Sequence, residues 1–118
     1  MGVAAERYVA VVGFGQFYGR KIFKPEQIVK LVKEPDNPFD DEAIRVELEP
    51  VGKVGYVANS PATVPRGCHS AGRIYDTFEQ HCYGIVRFVT KETVIVELLD
   101  KIRLQIVLLE TCDLQQLS

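Results

Sequence analysis

Apolar and charged residues alternate most clearly between positions 43 and 49, where Ile44, Val46 and Leu48 are separated by charged residues. This is the period of a half-buried strand. Pro50-Val51-Gly52 then predicts a turn, and residues 53–58 predict a returning strand of a β-hairpin. Short apolar runs predict further strands at 8–12, 27–34, 83–89, 93–99 and 102–109. The run at 27–34 also fits a helical period, but the prolines at 25 and 35 favour a strand.

One segment has clear helical spacing. Ser70 suits an N-cap, and apolar residues follow it at intervals of three and four, at Ala71, Ile74, Tyr75 and Phe78. We therefore expect one helix that ends near His81. Six or seven short strands with one α-helix predict a mainly β fold, a small antiparallel β-barrel of the OB-like or SH3-like kind.

The last predicted strand, at 102–109, differs from the others because its outward face becomes apolar near Val107 and Leu109. An apolar face on an outer strand is typically covered by another element or by a second subunit. The pattern therefore predicts a homo-oligomer that associates through the C-terminal strand.

Composition indicates a single ordered domain over residues 1–118, with 47% hydrophobic and 25% charged residues. No apolar run approaches the roughly 18 residues of a membrane helix, and the N-terminus lacks the pattern of a signal peptide. The three cysteines, at 68, 82 and 112, form no C-x-x-C pair. Because an odd count is unlike a secreted disulfide framework, we expect a reduced, cytoplasmic protein without a membrane contact.

Net charge is −2, which argues against a general polyanion binder. The charges are unevenly distributed, however: residues 20–33 are mostly basic, and residues 34–49 are mostly acidic. Any contact with nucleic acid is therefore expected to be local and directional.

Two chemical alternatives can be weighed on spacing. Cys68, His69, His81 and Cys82 flank the predicted helix and could in principle hold zinc or form a thiol site, but adjacent ligands tend to point apart. Gly13-Phe14-Gly15 follows a strand as in dinucleotide-binding turns, yet no helix begins there. We therefore expect no metal, no cofactor and no enzymatic activity.

The most informative segment is the loop Glu34-Pro35-Asp36-Asn37-Pro38-Phe39-Asp40, which lies between two predicted strands. Pro35 and Pro38 restrict its backbone and so lower the entropy lost on binding. Phe39 is unusual in a solvated turn. Composition alone favours burial of its ring in the core over its display as a stacking surface.

This loop, together with Val11-Val12-Gly13, Phe17-Tyr18-Gly19 and Gly52-Lys53-Val54-Gly55-Tyr56-Val57, resembles the HIRAN domain family over residues 9–100. The resemblance implies an OB-like barrel without catalytic activity. In helicase-like remodelling enzymes such domains recognise the 3′ end of single-stranded DNA in replication-fork repair. A helicase-like partner and a role in DNA repair follow from the resemblance, and this chain is similar to the lone bacterial members.

Carried over by position, the resemblance implies a binding site at Phe17 and Tyr18 and, on the loop, at Asn37, Phe39 and Asp40. Two departures concern its chemistry. Gln16 stands where an arginine commonly precedes the aromatic pair, and Phe39 replaces a tyrosine, which removes a hydroxyl but keeps the ring. The remaining members of the predicted nucleic-acid-binding set are Arg20, Lys21 and Tyr56.

The predicted site has a coherent chemistry, in which a base stacks on an aromatic ring and Asp40 accepts a hydrogen bond from a terminal 3′-hydroxyl. The same carboxylate would repel a 3′-phosphate. The alternative is a protein-interaction barrel, in which Phe14, Phe17 and the face of Val107 and Leu109 contact a partner chain.

Overall fold

The alternating segments form strands of a closed antiparallel barrel in a computed structural model, which describes residues 6–117 and the side chains of residues 6–110. The N-terminal residues from which the absence of a signal peptide was predicted lie partly outside this range. The strands, in chain order, are β1 (Tyr8–Val12), β2 (Ile28–Lys33), β3 (Ile44–Leu48), β4 (Gly52–Val57), β5 (His81–Val89) and β6 (Val94–Leu99).

The six strands close in the order β1-β4-β3-β2-β5-β6, and every neighbouring pair is antiparallel. β1 pairs with both β4 and β6, which completes the ring. The fold is therefore the mainly β, OB-like barrel that the strand pattern predicted. Segment 27–34 is a strand, as its flanking prolines indicated.

The core fills the inside of the barrel with the apolar half of each alternating strand. In β3, Ile44 and Val46 are fully buried, and the alternating residues Arg45 and Glu47 are half-exposed. Leu31 in β2 and Val96 in β6 are likewise fully buried. Phe14 also packs inward, edge to face against Phe23 with ring centroids 5.7 Å apart.

The helix predicted from Ser70 to His81 is shorter than expected. Ser70 is its N-cap, since its hydroxyl oxygen accepts from the Arg73 amide at 3.2 Å, but α1 extends only over Ala71–Ile74. A single 3₁₀ turn, Tyr75–Thr77, follows, and the Thr77 hydroxyl donates to the Ile74 carbonyl at 2.6 Å. The helix ends there because β5 already begins at His81, where it must pair with β2.

The predicted strand at 102–109 is wrong, because Lys101–Leu117 form a second helix, α2. Asp100 begins it: its carboxylate accepts from the Arg103 amide at 2.7 Å, and its carbonyl accepts from the Leu104 amide at 3.0 Å. Apolar side chains remain exposed on α2, with Ile102 at 71% and Leu109 at 64%. Because this segment is helical, the prediction of a homo-oligomer that associates through a C-terminal strand loses its structural basis.

Across the part of the chain that the structure describes, neither helix combines the length and the apolar character needed to cross a lipid bilayer.

Candidate nucleic-acid interface

The loop between β2 and β3 is held in a fixed shape by Asn37. Its side-chain oxygen accepts from the Phe39 amide at 2.9 Å and from the Asp40 amide at 3.2 Å, which forms an Asx turn. The base of the loop is closed by the Glu34 amide, which donates to the Ala43 carbonyl at 2.8 Å. Asn37, which was predicted as a ligand contact, lines a cavity beside this loop, and its side chain also fixes the shape of the loop.

Phe39 is displayed to solvent with 95% of its surface exposed. The interpretation from composition, which placed this ring in the core, is therefore wrong. The core positions nearby are already occupied by Ala43 and Ile44, which are buried. A ring held outward on a proline-restricted loop is available for stacking.

A cavity of about 860 Å³ lies beside this loop. Its wall joins the loop to the end of β4 and to the turn after β1, and it includes five of the eight predicted residues: Phe17, Asn37, Phe39, Asp40 and Tyr56. The structure thus brings together four of the five positions that the resemblance implied, Phe17, Asn37, Phe39 and Asp40. Gln16, the replacement for the usual arginine, lies in the same wall.

The other three predicted residues do not line this cavity. Tyr18 is exposed, at 59%, in the turn after β1. Arg20 and Lys21 are exposed in the 3₁₀ turn Arg20–Ile22. Because they stand outside the cavity wall, they could reach only a strand that extends beyond it.

Glu34 is the polar centre of the cavity, and sequence reasoning overlooked it. Its side chain is only 15% exposed. One carboxylate oxygen accepts from the Asn37 amide group at 3.0 Å and from the Tyr56 hydroxyl at 2.9 Å. The other lies 3.1 Å from the Lys53 ammonium and 3.7 Å from the Arg45 guanidinium.

The electrostatic interactions in this cluster favour the charged forms of Glu34 and Lys53. Burial alone would raise the pKa of Glu34, but hydrogen bonds from Asn37, Lys53 and Tyr56 outweigh it and lower the pKa below its ordinary value. The pKa of Lys53 is raised by its hydrogen bond to Tyr56 and by Glu34. Lys53 also lies over the rings of Phe17 and Tyr56, at 5.8 and 5.0 Å from their centroids.

Asp40 is half-buried and makes no ion pair with a described residue. One carboxylate oxygen accepts from the Glu42 amide at 2.9 Å, and the other accepts from the Asn59 side-chain amide at 2.8 Å. An ionised carboxylate offers about four acceptor positions, so both oxygens keep capacity for a ligand. Asn59, which also lines the cavity, is a second residue that the sequence pattern did not reveal.

The four predicted ligands Cys68, His69, His81 and Cys82, all among the described side chains, do not assemble into a metal centre. Among residues 6–110, no three metal-ligating side chains lie close enough to hold a metal ion. Burial raises the pKa of the Cys82 thiol to about 11 and also raises that of Cys68, whereas a reactive thiolate needs a lowered pKa. His69 Nδ1 is buried without a hydrogen-bond partner in the described part of the chain.

A closed β-barrel with an aromatic ring and a carboxylate presented at the edge of a polar cavity defines a small binding module. More specifically, the chain belongs to the HIRAN domain family, since the sequence model of the HIRAN domain matches residues 5–107. This is a family of DNA-binding rather than catalytic domains, and membership supports nucleic-acid binding in general.

Two solved structures are similar to this barrel. The HIRAN domain of human HLTF is 22% identical, with a TM-score of 0.58 over 80% of this chain and 73% of that one. A protein from Lactobacillus plantarum is 25% identical, with a TM-score of 0.55 over 80% of this chain and 93% of that one. No curated protein sequence matches this chain significantly.

Proposed function

We propose that this chain binds the 3′-hydroxyl end of single-stranded DNA in the cavity beside Phe39 and does not act as an enzyme. The observation that carries the proposal is the Phe39 ring, 95% exposed on a loop fixed by hydrogen bonds and directly followed by Asp40. An aromatic face and an acceptor carboxylate are the two groups that a terminal nucleotide requires.

Stacking supplies the affinity in this proposal. An unpaired base stacked on an aromatic ring contributes roughly 1–3 kcal/mol with little dependence on sequence. Phe17 and Tyr56 add aromatic surface to the same cavity, with ring centroids 6.3 Å apart. Because the loop is already ordered by Asn37, little conformational entropy is lost when a base binds.

The carboxylate of Asp40 supplies the preference for a free end. It accepts a hydrogen bond from a terminal 3′-hydroxyl, whereas a 3′-phosphate or a continuing strand would bring a second negative charge against it. The acidic character of residues 34–49, unfavourable for general DNA binding, fits this narrower role.

Lys53 is the cavity cation best placed to meet the phosphate that precedes the last nucleotide. Its side chain is 36% exposed, and it lies over the Phe17 ring. Arg20 and Lys21, outside the cavity, are assigned to phosphates further along the strand. A protein that neutralises only one to three phosphates has a weak dependence on salt concentration.

Free 3′-hydroxyl ends arise wherever a DNA strand is being extended or repaired. We therefore extend the proposal to DNA repair or replication-fork processing, in which a helicase-like partner acts on the strand whose end this domain holds.

Fluorescence anisotropy with a short labelled oligonucleotide tests the proposal directly. We expect the 3′-hydroxyl form to bind at least about tenfold more tightly than the same oligonucleotide ending in a 3′-phosphate, a difference of about 1.4 kcal/mol. A 5′-phosphate should make no difference. Equal affinity for the two 3′ forms, or binding to neither, would rule out end recognition.

Phe39→Ala isolates the stacking contribution. Since this side chain is exposed, the substitution should leave the free energy of unfolding within about 0.5 kcal/mol of the unmodified value. Affinity for the 3′-hydroxyl oligonucleotide should fall about 10- to 100-fold, the equivalent of one stacked base. Ile102→Ala removes another exposed apolar side chain, one that does not line the cavity, and should leave affinity unchanged.

A further inference from the structure

The position of Asp40 depends on a contact from outside its own loop. Asn59 follows β4 and lies 19 residues further along the chain, and its amide group donates to the Asp40 carboxylate at 2.8 Å. The same side chain accepts from the Gly72 amide at the start of α1, at 2.7 Å. Asn59 therefore connects the loop that presents Phe39 and Asp40 to the first turn of α1.

The backbone that carries Asn59 is fixed to the barrel. The neighbouring Ala58 is 1% exposed; its amide donates to the Ala10 carbonyl at 2.8 Å, and its carbonyl accepts from the Ala71 amide at 2.9 Å. At Gly72 a Cβ would lie 2.6 Å from a Glu42 carboxylate oxygen and 3.2 Å from the Asn59 side-chain oxygen, so glycine allows α1 to approach both side chains this closely. The contact between Asn59 and Gly72 is thus held on one side by the backbone that follows β4 and on the other side by α1.

We propose that Asn59 is a positioning residue that fixes the direction of the Asp40 carboxylate and thereby sets the preference for a 3′-hydroxyl over a 3′-phosphate. The inference rests on the proposed function and assigns a role to a residue outside the motifs by which the family was recognised. Asn59 suits the task because its amide group donates to the carboxylate while its oxygen accepts from α1.

Asn59→Ala removes the donor without adding a charge. We expect the ratio of the two dissociation constants, 3′-phosphate over 3′-hydroxyl, to fall toward one, mainly because the hydroxyl form binds about tenfold more weakly. Gln105→Ala removes an exposed side-chain amide on α2 that does not line the cavity and should keep the ratio. A purely structural role for Asn59 would weaken both oligonucleotides equally, and that result, or an unchanged ratio, overturns the inference.

Exchanging the side chains at positions 40 and 59 tests the hydrogen bond between them separately from the binding of DNA. Asn59→Asp places two carboxylates in contact and should lower the melting temperature by about 5 °C or more. In Asp40→Asn/Asn59→Asp each hydrogen bond again has a donor and an acceptor. The amide introduced at position 40 accepts from Glu42 and donates to the carboxylate introduced at position 59, which in turn accepts from Gly72. We expect this double variant to recover most of the lost melting temperature and still to lack discrimination between the two ends.

The two proposals fail in different ways. If the unmodified chain shows no preference for a 3′-hydroxyl, end recognition is wrong and the role of Asn59 in it falls as well. If the preference exists but Asn59→Ala preserves it, only the inference about Asn59 is wrong. If the double variant loses as much melting temperature as its two single substitutions together, the two residues are not coupled. This result would hold with or without DNA.

Discussion

Glu34 shows how one side chain can connect a binding loop to the barrel behind it. Its carboxylate accepts from Asn37 in the loop and from Tyr56 and Lys53 in β4. These donors favour the charged form, which is why the pKa of Glu34 is lowered despite burial. The cluster therefore stabilises the loop more strongly when Glu34 is ionised than when it is protonated.

Glu34→Gln should lower the free energy of unfolding at pH 7 by about 1–3 kcal/mol, because hydrogen bonds to a charged group are lost. A carboxyl whose pKa is lower in the folded state stabilises the fold above its unfolded pKa and loses that effect as the pH falls through its folded pKa. The difference between the two proteins should therefore be largest near neutral pH and shrink below about pH 4.5, the ordinary pKa of glutamate.

Urea denaturation at several pH values measures this difference. Glu49→Gln removes an acid that is exposed and should be nearly neutral throughout. A constant difference between Glu34→Gln and the unmodified protein from pH 7 to pH 3 would contradict the linkage.

At this scale the sequence could identify side chains that line the cavity, such as Phe39 and Asp40, but not the groups that hold them in place. Phe39 and Asp40 are adjacent and belong to a recognisable motif. Glu34 and Tyr56 lie 22 residues apart, and Asp40 and Asn59 lie 19 apart. Such pairs are created by the pairing of β2, β3 and β4, so no local pattern marks them.

Among the elements, α2 shows the limit of reading periodicity from a short apolar run. Residues 102–109 contain six apolar positions, which satisfy a period of two and a period of 3.6 equally well. Asp100 favours the helical period, since aspartate before an apolar run is a common N-cap. The barrel supplies the stronger reason: both neighbours of β6, β1 and β5, are already paired with it, so no position remains for a seventh strand.

Asp100→Ala should destabilise α2 by about 1 kcal/mol, since the first turn loses the acceptor for the Arg103 amide. We expect a loss of helical circular dichroism at 222 nm with little change in the unfolding of the barrel. Asp100→Asn keeps an acceptor at the cap and should retain most of the signal. Equal losses in the two variants would show that the cap does not hold the helix.

The six strands of the barrel followed from the sequence because their signals are local. Strict alternation placed β3 correctly, and the Pro50 to Gly52 turn placed the hairpin to β4. β5 begins two residues earlier than predicted, at His81, because the strand continues as far as its partner β2 allows.

For the whole molecule, closure of the barrel requires close approach between its strands. Gly84 in β5 shows this: a Cβ there would lie 2.4 Å from a Val96 methyl and 3.0 Å from the Glu97 carbonyl oxygen. The carbonyl belongs to the paired strand and cannot move without disturbing the ladder.

Gly84→Ala should therefore lower the free energy of unfolding by about 1–3 kcal/mol, the usual result of overpacking. Gly15→Ala is the matched control, since a Cβ there meets open space and the position has no left-handed φ. It should be neutral or raise stability by up to about 1 kcal/mol, because alanine restricts the unfolded chain. Thermal unfolding of both variants tests the two expectations. Similar losses of stability in Gly84→Ala and Gly15→Ala would argue against crowding at Gly84.

The complete ring of six paired strands also restricts how this domain can recognise anything. A sheet with a free border can accept an extended peptide by main-chain pairing, and the same border makes it prone to assemble into fibrils. Among the described residues every strand of this barrel has a paired neighbour on each side, so the ring presents no free border strand for such pairing. Any ligand would therefore meet side chains, such as those of Phe39 in the loop and Tyr56 in β4, rather than the border of a sheet.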